Sequence, residues 1–144
     1  MTIAWIEPAQ RLAQWLPNRG LSGLWTLLHT AELAVLQMAL LPGLDDDLSF
    51  TEAGFDLQEA VEELEWVHAD LPLRATAVNL GSAPLDQIAA CRAAIATLLV
   101  AALDTVGRLL PTASAELDTP EVLALARVCQ LAGRAHVRVT GRLP

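Results

Sequence analysis

Two short pairs carry the side chains in this chain that could do chemistry. "LWTLLHTAELAVLQMALLPG", residues 24–43, is almost uncharged, yet it holds His29 and Glu32 three positions apart. Further on, "EWVH" holds Glu65 and His68 in the reverse order. Residues i and i+3 share one side of a helix, so each pair sets a carboxylate beside an imidazole. Such groups bind Zn, Fe or Mn together, and they also act as acid/base partners.

If the two helices are antiparallel neighbours, opposite order puts like beside like. At about 1.5 Å per residue, His29 and His68 fall near 12 Å along the helix and Glu32 and Glu65 near 16 Å. The same count brings Cys91 and Cys129 to the middle layer. His29, Glu32, Glu65 and His68 are therefore the candidate metal ligands, for a divalent ion. The di-metal bundles of the ferritin type use two Glu-x-x-His pairs and two further carboxylates. This chain has one such pair, and it offers cysteines where those carboxylates would stand. The pattern is not met, and the simpler expectation is a structural His/Glu pair that fixes helix register. No cofactor is predicted.

Other constellations are weaker. The chain lacks a glycine-rich phosphate loop and a G-x-S-x-G elbow. "EAVEELEWVHAD" has the Glu-x-x-Glu spacing of all-α nucleotide pyrophosphohydrolases, but the Glu-x-x-Asp they need next is absent, since Ala101 precedes Asp104. The two cysteines form no CxxC pair and are expected to be free, buried thiols.

The elements that must position these residues read as helices throughout. A short first helix is expected over 8–16, stopped by Pro17, with "PNRG" as a turn. A second runs over 21–41 and closes at Pro42 and Gly43. For the third, Asp56 with Glu59 is preferred as cap over Ser49 with Glu52, because Gly54 weakens a helix interior. Leu57, Val61, Leu64, His68 and Leu71 then form one apolar stripe, and Pro72 ends or kinks it. A long helix capped by Ser82 and stopped at Pro111 buries Cys91, Ile95, Leu98, Ala102 and Val106. The last starts at "TPE", residues 119–121, and ends at Gly141. The expected fold is all-α, a single domain over 1–144, arranged as an antiparallel four-helix bundle with a short additional N-terminal helix.

Charge is segregated. Residues 45–70 contain ten acidic side chains and no basic one, whereas Arg127, Arg134, Arg138 and Arg142 step by 7, 4 and 4 along the last helix. That stripe is expected to pack beside the acidic helix, within the chain or across a dimer. Its alternative is a ligand or interface surface, with Arg134 and Arg138 as candidates. Trp25 and Trp66 are candidates for lining a pocket between helices or for anchoring an interface.

Seventeen acidic against nine basic residues leave a net charge of −8, which disfavours nucleic acid as a partner. Mean hydropathy is +0.41, so apolar surface is expected to remain once one core is filled. The gaps between charges, eleven residues from Arg92 to Asp104, are shorter than the roughly 20 apolar residues a span needs, so no membrane span is expected. "MTIAWIEPAQRLAQW" meets Glu7 and Arg11 early and does not read as a secretory signal, which makes the cytoplasm the expected compartment. The expected role is non-catalytic: a homodimer, or a bundle docked on a protein partner, with the second helix supplying much of the interface. The alternatives are a metal-dependent or acid/base enzyme using the four His/Glu residues, and an apolar-ligand binder.

Overall fold

The computed structural model describes residues 5–45, 48–83, 86–116 and 119–141. The protein is all-helical, and among the described residues there is no strand. The elements are α1 (Ile6–Trp15), a 3-10 turn (Leu16–Arg19), α2 (Gly20–Ala39), α3 (Ser49–Val67), the short α4 (Leu71–Arg74), α5 (Ile88–Ala115) and α6 (Thr119–Thr140). α2 packs against α3 and α5, α6 packs against the same two helices, and α1 lies on α5. The core between them is built from the expected stripes, including Leu57, Val61 and Leu64 of α3, Ile95 and Leu98 of α5, and Leu125 and Ala132 of α6.

α3 begins seven residues before the preferred cap. The Asp45 carboxylate accepts hydrogen bonds from the backbone N–H groups of Phe50 (2.7 Å) and Thr51 (3.2 Å), satisfying donors that a helix start leaves unpaired. Gly54 stands inside the helix because α2 presses on it: a Cβ there would lie 3.3 Å from Leu36 Cδ2. Asp56, expected as a cap, is instead two turns inside and 5 % exposed. A second close approach fixes the start of α2, where a Cβ on Gly23 would lie 1.9 Å from the Leu16 carbonyl oxygen.

α3 also stops earlier than its apolar stripe suggests. His68 leaves the helix with φ −138° and ψ 76°, and Pro72, favoured in a first turn, opens α4 so that Leu71 still reaches the core. Ser82 does not cap α5. The connector before α5 is held by a hydrogen bond from Val78 N–H to the buried Thr30 hydroxyl (3.0 Å), and the helix starts at Ile88. Nor does Pro111 stop it. Proline forgoes one N–H donor, but its φ is helical, and α5 continues one turn to Ala115.

α5 is long and apolar enough, by length and composition, to cross a bilayer: its best window has a mean hydropathy of 1.7, with 44 % of that window buried inside the fold. Here it is packed between α1, α2 and α6. The apolar length of α2 is likewise spent on the core, which takes eleven of its twenty residues.

Candidate functional site

Three of the four His/Glu candidates meet where α2 crosses α3. Helical spacing places Trp25, His29 and Glu32 on one side of α2. The Trp25 and His29 rings are stacked, with centroids 4.9 Å apart and planes inclined by 19°. His29 Nδ1 is 3.6 Å from Glu32 Oε1, an ion-pair distance when the ring is protonated and too long for a hydrogen bond. From α3, Glu65 accepts a 3.0 Å hydrogen bond from the Trp25 indole N–H. Glu62 stands near enough to add its charge: burial pushes the Glu32 carboxyl above its ordinary range, His29 pulls it back down, and Glu62 and Glu65 push it up again.

His68 is not part of this group. Past the end of α3, its Nε2 lies 3.5 Å from Glu121 Oε1 at the start of α6. The like-with-like alignment depended on α3 starting at Asp56, and the start at Ser49 changes the register. Among the described residues, no three His, Cys, Asp or Glu side chains are grouped so as to hold a metal ion. Cys91 is buried, Cys129 is half-buried, and both are free; burial pushes the Cys91 thiol up.

The arginine stripe has its partners inside the chain. Arg138 Nε is 2.8 Å from Asp56 Oδ2, and its Nη1 pairs with Glu52. Arg134 lies 3.4 Å from Asp56 Oδ1, and Arg127 lies 3.0 Å from Glu59. Glu52, Asp56 and Glu59 climb one side of α3 as Arg138, Arg134 and Arg127 descend α6, so the stripe seals that seam. Arg142 lies outside the described residues.

The tryptophans divide. Trp5 and Trp25 are buried, the latter 5 % exposed, while Trp15 lies under the Arg19 guanidinium at 4.1 Å and Trp66 is 88 % exposed. Trp25 is thus inside the fold and Trp66 outside it. On the outer side of α3, Phe55, Gln58, Glu62 and Trp66 recur every three or four residues, all exposed. On α2, Glu32 lies near Glu62 and Glu65 and Leu36 lies against Gly54, while Leu40, just past the end of α2, is 77 % exposed. Two open clefts of about 580 Å³ each lie elsewhere, one lined by Gln14, Asn18, Asp104 and Arg108 between α1 and α5, the other by Arg92 and Arg138.

The bond between Trp25 and Glu65 joins residues forty positions apart, and neither it nor the Trp25–His29 stack is among the sequence expectations, although the spacing of four between Trp25 and His29 is a local signal for the stack. Glu62 and Glu121 were missed because their roles depend on the register of neighbouring helices. No family model, no curated protein and no solved structure matches the chain, so what the site does must be argued from its own geometry.

Proposed function

We propose that this protein is a single-domain, antiparallel four-helix bundle of α2, α3, α5 and α6, braced by α1. In this reading it is non-catalytic and cytoplasmic, and it works through protein–protein contact, as a homodimer or with a different protein. The observation that carries the reading is the outer row on α2 and α3. Leu40, Phe55 and Trp66 are 77 %, 65 % and 88 % exposed, although large apolar side chains, and Trp above all, are the usual anchors of an interface. The internal pairing of the arginines supports it too, because it leaves an acidic surface poorly suited to nucleic acid. His29 and Glu32 are then polar groups that set helix register and edge the contact face.

Native mass spectrometry of the purified chain, without chelator, tests the proposal. A metal-free dimer, or a stoichiometric complex with another protein, is the expected result. A monomer carrying one metal ion or one small molecule would overturn it in favour of a metal-dependent or acid/base enzyme using His29, Glu32 and Glu65.

A further inference from the structure

We infer that the outer face shared by α2 and α3 is a docking surface for a basic amphipathic helix of another protein, an inference that rests on the protein–protein reading above. At one end of the face, Leu36 of α2 covers Gly54, the residue before the exposed Phe55 of α3, and Leu40, just past the end of α2, is also exposed. At the other end stands Trp66. Between them are Glu32, Glu62 and Glu65. Phe55 and Trp66 are eleven residues apart on one helix face, a span of about 16 Å at 1.5 Å per residue. A partner helix of three to four turns matches that length, with apolar side chains near its ends and Lys or Arg in the middle.

Charge decides against the other occupants. Among the described residues no arginine pairs with Glu32, Glu62 or Glu65; Arg134 and Arg138 are held by Glu52 and Asp56 on the α6 side of α3, and Arg127 is held by Glu59, which borders the outer row one turn from Phe55. A second copy related by a two-fold axis would set these glutamates against their own counterparts, which costs rather than contributes energy. A purely apolar helix would cover the carboxylates without pairing them. A basic helix answers both needs: it neutralises the middle of the face and covers the exposed side chains at either end.

The test uses a synthetic fourteen-residue amphipathic peptide with leucines at both ends and lysines in the middle, titrated calorimetrically into the full chain at near-physiological salt. A peptide with glutamates in place of the lysines is the control, expected to show no binding. Glu32→Gln with Glu62→Gln should weaken binding of the lysine peptide at least tenfold, and so should Leu40→Ser with Phe55→Ser. Glu7→Gln with Glu116→Gln removes equal charge from elsewhere and should change it less than twofold. Circular dichroism checks that each variant is folded.

Absence of binding overturns the inference, and so does an equal loss from the Glu7 and Glu116 variants, which would mark attraction by net charge alone. So does a dimer that Phe55→Ser dissociates, since the face would then be occupied by a second copy. That last result overturns the inference while leaving the protein–protein reading intact. A metal or small-molecule adduct on a monomer removes the reading itself.

Discussion

On the side of α3 that meets α6, Glu52, Asp56 and Glu59 each face an arginine. On the side that meets α2, Glu62 and Glu65 stand near another carboxylate, Glu32, and the group receives a tryptophan N–H and a histidine ring. One helix, with one kind of side chain, thus presents two electrostatic situations, and the neighbour makes the difference. α6 is rich in arginine, whereas α2 has no basic residue beyond its single histidine. The first side holds the fold together. The second carries carboxylates that no arginine among the described residues pairs with, next to exposed apolar side chains, and the proposed contact rests on that side.

The largest effect should come from breaking the first side. Asp56→Ala removes a nearly fully buried carboxylate from Arg134 and Arg138, and a loss of about 2 to 3 kcal/mol in urea unfolding is expected, toward the low end for buried pairs because both arginines are partly exposed. On the second side, Trp25→Phe deletes the donor to Glu65 and should cost about 1 kcal/mol, with loss of a buried-tryptophan fluorescence component.

Glu32→Gln is expected to stabilise. Its carboxyl is raised above 4.5 in the folded chain by burial and by Glu62 and Glu65. The folded state therefore holds its proton more tightly than the unfolded state, and ionisation at neutral pH costs stability. The variant should melt higher than the parent at pH 7, and the advantage should shrink as pH falls and vanish below about 4.5, where both states are protonated. Melting curves of the pair across that range check the sign. The smallest effect belongs to the exposed end groups: Phe55→Ser and Trp66→Ser should change unfolding stability by no more than about 0.5 kcal/mol, even where they abolish docking.

Much of the fold could be read in advance because its signals are local. The spacing of Leu57, Val61 and Leu64, the run from Cys91 to Val106, and Gly141 with φ 73° closing α6 all belong to single helices. What could not be read depends on neighbours. Gly54 looks like a helix breaker until Leu36 is seen against it, Pro111 looks like a stop until α5 continues past it, and Asp56 looks like a cap until two arginines surround it. The site divides in the same way. His29 with Glu32 follows from spacing within one helix, and the arginine stripe beside an acidic helix follows from steps of seven and four. The separation of His68 from Glu65 does not, because the end of α3 and the start of α6 settle it together.

The most direct measurement is the urea unfolding free energy at pH 7 of two matched variants, Glu52→Gln with Asp56→Asn and Glu32→Gln with Glu62→Gln. Each removes two negative charges from α3 and its surroundings. The account predicts that the first pair is clearly less stable than the parent and that the second is at least as stable. Equal losses from both would contradict it, because the carboxylates facing α2 would then serve the fold as those facing α6 do.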